Sequence, residues 1–203
     1  IYGRRLELTD YRATLKLMDV CNRLGICFTT TAGMLRFLFK LYERGIIDEN
    51  TLDGIVPKLG DVHSYIAIVE KIAAREGIGD IMANGWYALS KELGVKAWED
   101  PDGDGIVKGT SSLFDGRFTP FEGTRFENVV NPRGGHHLHP TTYLPMKTLE
   151  QIREGYESYG TPSSTIQASF TDKNFKVGKV HMHLEDWEGV LFCMGVCCRG
   201  SLV

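Results

Sequence analysis

The residues most suited to chemistry lie in two short segments of the same form. Segments 22–27 (N-R-L-G-I-C) and 192–197 (F-C-M-G-V-C) place a glycine, an aliphatic residue and a cysteine in the same order. A thiolate is a soft metal ligand, and a glycine lets the backbone approach a ligand closely. The plain structural alternative is an ordinary helix that ends at its glycine. The repetition favours two half-sites around one pseudo-symmetric ligand.

The cysteines are unevenly distributed, with Cys193, Cys197 and Cys198 inside one hexapeptide. Three thiols at this density suit soft-metal or iron–sulfur ligation, although buried cysteines also serve as small apolar residues. The C-x3-C spacing specifies no particular cluster and supplies too few ligands, so others must come from elsewhere. An odd total of five suits neither a disulfide framework nor secretion. We therefore expect a reducing, cytoplasmic location.

The run 131–140 (N-P-R-G-G-H-H-L-H-P) holds three of the six histidines. Adjacent histidines rarely point into one coordination sphere, so a simple zinc site is the weakest of three interpretations. In the second, one histidine is a general acid or proton shuttle and Arg133 faces an anion. In the third, these are ordinary loop histidines.

The segment 100–105 (D-P-D-G-D-G) copies the opening of a calcium-binding EF-hand loop. Its twelfth position is Ser111, which lacks the bidentate carboxylate of a calcium loop. An acidic surface turn is therefore the favoured interpretation, and a small calcium-binding or zinc-binding helical module is a weaker alternative.

Composition limits the remaining functions. The 203 residues are 42% hydrophobic, carry a net charge of −3, and contain no apolar run of the about 20 residues that a membrane span requires. The weakly acidic balance offers no basic surface for nucleic acid. We expect neither a membrane span nor a nucleic-acid partner.

Helices must position these sites. Apolar residues at helical spacing predict helices over 8–24, from after Thr31 to Gly45, over 61–77 and over 80–93. In the first, Thr9 or Asp10 is the predicted cap, and the apolar series is Tyr11, Leu15, Met18 and Cys21. In the third, Asp61 is the predicted cap, and the predicted inward residues are Tyr65, Ile68, Val69 and Ile72. Segment 98–145 is rich in Gly, Pro, Asp and aromatic residues and predicts a long irregular loop region. Helices resume over 147–159 and 172–193. The fold class is mainly α, with a helical domain at 1–97 and a loop-rich and helical domain at 98–203.

These residues resemble the tungsten-containing aldehyde:ferredoxin oxidoreductases in their two C-terminal helical domains, over most of the chain. Segment 71–85 (K-I-A-A-R-E-G-I-G-D-I-M-A-N-G) is similar to the family signature I-A-x-R-E-G-x-G-D-x-x-A-x-G and is the most specific stretch. Segments 22–27 and 192–197 look like the two family turns of form D-x-x-G-L-(C/D). Segments 107–109 and 132–137 are similar to later family segments.

The resemblance implies a tungsten bis-pyranopterin (molybdopterin) cofactor and a [4Fe-4S] cluster. By position, the pterin-contact residues are Asn22, Gly25, Cys27, Gly195 and Val196. Cys197 would be the fourth cluster ligand, and His137 would be an active-site residue that handles a proton. The metal would exchange two electrons with substrate, and the cluster would relay single electrons to or from a ferredoxin or an iron–sulfur electron-transfer subunit.

Departures from the family pattern suggest a branch. Asn22 and Phe192 replace the two motif-opening aspartates, and Cys27 stands where an aspartate is usual. Because a thiolate could ligate tungsten directly, Cys27 favours a relationship to the tungsten subunit of class II benzoyl-CoA reductases. Aldehyde oxidation to carboxylate is the alternative within the family, and a non-catalytic scaffold that has lost its cofactor is the alternative outside catalysis.

The family's N-terminal β-rich domain and its C-x2-C-x3-C segment have no counterpart in the sequence. We therefore expect the chain to be a fragment, missing the N-terminal part of the same protein. We also expect that it is inactive alone, with cofactors only in the full-length protein.

Overall fold

A computed structural model describes residues 2–111, 130, 148–158, 160–171 and 176–196. The chain divides into two compact units, Ile1–Ser111 and Ser112–Val203. The described part is mainly helical, as the sequence predicts. The division into domains 1–97 and 98–203 stays a prediction.

The first unit contains six helices and a hairpin within the described residues: α1 (Tyr2–Arg5), α2 (Tyr11–Arg23), α3 (Phe28–Glu43), α4 (Val62–Ala74), α5 (Ile78–Ala83), α6 (Trp86–Leu93), β1 (Ile106–Val107) and β2 (Thr110–Ser111). The two strands are antiparallel, with Ile106 opposite Ser111. Helix α3 is the centre of the unit because nine of its residues are buried. Phe39 stacks on Tyr65 of α4, and Phe37 packs against Trp86 of α6. These aromatic contacts join α3 to α4 and to α6.

Side-chain caps set the start of two helices. Asp10 accepts a hydrogen bond from the Arg12 amide and begins α2, while Asp61 accepts from the amides of His63 and Ser64 and begins α4. Such caps satisfy amides that have no partner within the helix. Both helices follow the sequence prediction, and the four predicted inward residues of α4 are all buried: Tyr65, Ile68, Val69 and Ile72.

The segment predicted as one helix over 80–93 is two helices, which corrects the prediction. Helix α5 ends at Ala83 and α6 begins at Trp86, with Gly85 between them at φ 89°. That left-handed angle interrupts helical geometry at little cost only for glycine. Helix α3 also begins at Phe28, before the three threonines rather than after them.

The family-like segment 71–85 forms a tight corner between α4 and α5. Arg75 ends α4 in the left-handed conformation, and its Nε donates to Asp80 Oδ1 at 2.7 Å. A Cβ on Gly79 would lie 2.2 Å from the Lys71 carbonyl carbon. The Ile78 amide donates to Asp53 Oδ2 at 3.0 Å. The glycine is therefore required because the two helix backbones touch.

The acidic segment 100–105 is not a simple surface turn, because Asp104 is buried. Its carboxylate accepts hydrogen bonds from both terminal nitrogens of Arg5, at 3.0 and 3.1 Å. Arg44 pairs with Asp100 at 2.7 Å, and Arg36 pairs with Asp102 at 3.4 Å. In the described residues, no three His, Cys, Asp or Glu side chains are grouped to hold a metal ion. Arginines here provide the positive charge that calcium would bring to an EF-hand.

The second unit contains α7 (Leu149–Ser158), α8 (Ser163–Ser169) and α9 (Val177–Cys193) among its described residues. Helix α8 was not predicted from the sequence. The unit has its own small core of Ile152, Tyr156, Ile166, Phe170 and Val180. The Tyr156 hydroxyl donates to the Val180 carbonyl at 3.1 Å and so joins α7 to α9.

No single helix in the described ranges is long and apolar enough to cross a membrane. By length and composition only, α2 and α3 pass that test as a bent pair. The buried surface of α3, however, is that of a core helix.

Candidate functional site: two helix-ending turns

The first turn ends α2 in a defined hydrogen-bonded form. The Gly25 amide donates to the Asn22 carbonyl at 3.2 Å, and the Ile26 amide donates to the Cys21 carbonyl at 2.8 Å. Gly25 has φ 69°. This pair of bonds around a left-handed glycine is the Schellman motif, which satisfies the last carbonyls of a helix.

The second turn ends α9 with the same backbone geometry. The Gly195 amide donates to the Phe192 carbonyl at 3.0 Å, and the Val196 amide donates to the Leu191 carbonyl at 2.9 Å. Gly195 has φ 71°. The sequence similarity between segments 22–27 and 192–197 therefore reflects one local backbone structure that both segments adopt.

A third turn shows that this geometry alone does not define a ligand site. At the end of α3 the Gly45 amide donates to Tyr42 and the Ile46 amide donates to Leu41, both at 2.9 Å. Its glycine has φ 68°. The next residue, Ile47, is buried in the core, whereas Cys27 is exposed at the same position of the first turn. The two turns thus differ in the residue that follows the aliphatic residue, which is an exposed cysteine in the first turn and a buried isoleucine in the third.

Cys27 lies where α2 ends and α3 begins. It is the N-terminal cap residue of α3, with an extended backbone, and its Sγ lies 3.7 Å from the Thr30 hydroxyl oxygen. Cys21, six residues earlier, is fully buried, and that burial raises the pKa of its thiol to about 11. Of these two thiols, only Cys27 is available to a ligand.

Open space surrounds both glycines of the candidate turns. Among the described residues, apart from its chain neighbours, a Cβ on Gly25 or Gly195 would have no atom within 4 Å. Leu24 is 42% exposed before the first glycine, and Met194 is 70% exposed before the second. Val196 is 39% exposed and Asn22 is also exposed. A flat ligand could therefore approach each turn along its backbone.

Two predicted site residues, His137 and Cys197, lie outside the described residues. Asn22, Gly25 and Cys27 are brought together by the first turn, and Gly195 and Val196 by the second. The proximity of Thr30 to Cys27 was missed from the sequence, because the threonines were placed before α3. The three-residue separation of Cys27 and Thr30, which is the spacing of an N-cap residue and its partner in the first helical turn, could have indicated this proximity.

A sequence comparison assigns the chain to a family. Residues 1–202 match the family described as "Aldehyde ferredoxin oxidoreductase, domains 2 & 3". The chain belongs to the aldehyde ferredoxin oxidoreductase family. The helical architecture agrees with the helical C-terminal domains of aldehyde ferredoxin oxidoreductases, and the expected resemblance is confirmed at the level of the family.

Individual relatives support the same assignment. The chain is 31% identical over 138 residues to the tungsten-containing aldehyde ferredoxin oxidoreductase of Pyrococcus furiosus. This alignment covers 67% of the chain and 22% of that relative. It is 28% identical over 137 residues to the protein of the same name from Thermococcus kodakarensis. It is also 28% identical over 160 residues to the "Aliphatic sulfonate oxidoreductase, WOR-like subunit" of P. furiosus. This alignment covers 77% of the chain and 25% of that relative. The chain thus spans about a quarter or less of these relatives.

Proposed function

We propose that this chain supplies two pterin-binding turns of a tungstopterin and iron–sulfur oxidoreductase. The observation that carries the proposal is the pair of turns with one backbone geometry, each followed in sequence by a cysteine. Membership of the aldehyde ferredoxin oxidoreductase family supports it. Tungsten-containing relatives make tungsten the metal of the proposal.

The residues of the turns suit such a group. The open glycines allow a planar ring to contact the backbone, and Asn22 offers amide donors and an acceptor beside the first turn. Gly25 and Gly195 would contact the pterins, together with Val196. Cys27 offers a soft exposed thiol that could ligate tungsten. When bound, the cofactor supplies two-electron redox chemistry at the metal.

Residues outside the described part complete the proposal. Cys197 would ligate a [4Fe-4S] cluster together with three cysteines that this sequence does not provide. His137 would hold or deliver the proton that accompanies electron transfer. Electrons would pass between the cluster and a ferredoxin or an iron–sulfur subunit. We propose a cytoplasmic location on the same family grounds.

Two reactions compete within this proposal. An exposed Cys27 thiol near the metal favours chemistry like that of the benzoyl-CoA reductase tungsten subunit. Several relatives are tungsten-containing aldehyde ferredoxin oxidoreductases, and this favours aldehyde oxidation to carboxylate. Assay of the complete protein against aldehydes and an aromatic acyl-CoA, with a low-potential electron mediator, separates these reactions.

The role of Cys27 can be tested spectroscopically in the complete protein. We expect Cys27→Ser to change the tungsten X-ray absorption edge, because one sulfur donor is replaced by oxygen. Cys193→Ser is the matched control, since Cys193 is also exposed and precedes its turn glycine. An edge spectrum that is unchanged in Cys27→Ser would assign the protein to the branch without a protein thiolate on tungsten. Absence of tungsten from the wild-type protein would instead favour the scaffold alternative.

A further inference from the structure

A cleft lies between α7 and α8 of the second unit, in a part of the chain that the proposed function does not use. Its volume is about 420 Å³, which is within the range of small-molecule sites. Six of the described residues, of mixed chemistry, line it: Arg153, Glu157, Thr161, Ser163, Ile166 and Gln167. The cleft is widely open to solvent, and polar side chains make up most of its lining.

The two charged residues of the cleft are not paired with each other. Arg153 and Glu157 stand one turn apart on α7, with the arginine first, which is the less favourable order for an ion pair along a helix. The Arg153 guanidinium instead lies over the Phe170 ring, 5.9 Å from its centroid. Neither side chain makes an ion pair to any residue in the described ranges. A positive side chain and a negative side chain, both exposed, thus border one space.

The inner wall of the cleft is buried, and its rim is exposed. Thr161 and Ile166 are buried, and the Thr161 hydroxyl is 3.0 Å from His183 Nε2 on α9. Ser163 and Gln167 are exposed on α8, and their side-chain polar atoms make no hydrogen bond to the described residues. The cleft therefore offers one apolar contact and two unused hydrogen-bonding side chains beside its two charges.

We propose that this cleft binds a small zwitterion, of which a free α-amino acid is the simplest example. Residues at positions i and i+4 have Cβ atoms about 6 Å apart, so a ligand with adjacent carboxylate and ammonium groups can reach both charges. The carboxylate pairs with Arg153, which presents a planar donor fork, and the ammonium pairs with Glu157. Gln167 and Ser163 contact polar atoms of the ligand, and Ile166 contacts its aliphatic carbons.

The proposal is tested by isothermal titration calorimetry of the complete protein with glycine, L-leucine and L-glutamine. We expect saturable binding of at least one of them, with a dissociation constant of about 1 mM or below, as suits a ligand of this size. N-acetyl-L-glutamine amide, which lacks both charges, should not bind. No saturable heat up to about 10 mM for any of the three amino acids overturns the proposal, as does equal binding of the capped compound.

Three variants locate the site. Arg153→Met keeps an aliphatic chain over Phe170 but removes the charge, and Glu157→Gln keeps the shape of its side chain. Each should weaken binding by about tenfold or more, the usual loss when a charged partner is removed. Glu154→Gln, an exposed neighbour on α7 that does not line the cleft, should bind as the wild type does. Binding that is unchanged in Arg153→Met or Glu157→Gln overturns the proposal, and circular dichroism confirms that each variant is folded.

Discussion

At the scale of single residues, burial separates groups that look equivalent in the sequence. Cys21 and Cys27 both border the first turn, yet one is in the core and the other is exposed. The glycine between them predicted the end of the helix correctly, because a helix stop is a local property. It could not predict which thiol faces solvent, because that depends on how α2 packs against the rest of the unit.

Tyr65 is the residue whose removal has the clearest expected effect on stability. Its buried hydroxyl donates to the Leu6 carbonyl at 2.8 Å and accepts from the Gly60 amide at 3.0 Å. Tyr65→Phe should therefore lower the free energy of unfolding by about 2 kcal/mol at pH 8. Urea denaturation, followed by circular dichroism, measures this difference.

The same variant gives a pH test with a definite sign. Burial raises the pKa of Tyr65 from 10.0 to about 12. The stabilisation linked to its proton is complete below pH 10 and is lost as the pH rises through 12. At pH 11 the wild type should have lost about 1.4 kcal/mol that Tyr65→Phe does not lose. The stability gap should narrow from pH 8 to pH 11, and a constant or widening gap would contradict this assignment.

At the scale of elements, the corner between α4 and α5 gives a structural reason for the glycine in segment 71–85, the stretch most similar to the family signature. We predict that Gly79→Ala destabilises the protein by about 3 kcal/mol or more, because its Cβ would overlap the Lys71 backbone. Gly155→Ala is the matched control in a helix, since its Cβ meets no atom within 4 Å. That control should be neutral or stabilising by up to about 1 kcal/mol. Equal melting temperatures for the two variants would show that the corner is not tightly packed.

The acidic loop 100–105 illustrates a prediction that local sequence could not settle. Its EF-hand-like spacing is local, but the arginines that pair with it are Arg5, Arg36 and Arg44, which are distant in sequence. We predict that 1 mM calcium leaves the melting temperature unchanged and that Asp104→Asn lowers stability by about 2 to 4 kcal/mol. Asp102→Asn should cost less than about 1 kcal/mol, because both its ion pairs, to Arg36 at 3.4 Å and Arg44 at 3.7 Å, are longer and more exposed. A calcium-dependent rise in melting temperature would overturn this interpretation.

Helix existence was more predictable than helix packing. The caps Asp10 and Asp61 and the inward residues of α4 are local signals, and they identified their elements correctly. In α2, however, the predicted apolar series included Tyr11 and Leu15, which are 67% and 56% exposed. Cys21 of the predicted series is buried, and so is Leu17, which the series did not include. Periodicity therefore identified the helix, but the buried face depends on contacts distant in sequence.

At the scale of the whole molecule, the two turns belong to different units. The first turn lies in residues 1–111 and the second in residues 112–203. The motif pair and the family were predictable because they rest on residue types at fixed spacing. How the two turns would contact a cofactor could not be predicted from the sequence. The chain spans only about a quarter of the length of its relatives, and residues beyond that part would also line such a site. The complete protein is therefore the right material for testing the two turns together.

The central claim is tested most directly by tungsten content in three glycine variants of the complete protein. Gly25, Gly45 and Gly195 share a left-handed φ of 68–71° and open surroundings, so alanine should strain each turn by a similar amount. Tungsten per polypeptide, measured by mass spectrometry of the metal, should fall by about tenfold in Gly25→Ala and Gly195→Ala. It should remain at the wild-type level in Gly45→Ala, and equal tungsten in all three variants would contradict the claim that the first and second turns hold the cofactor.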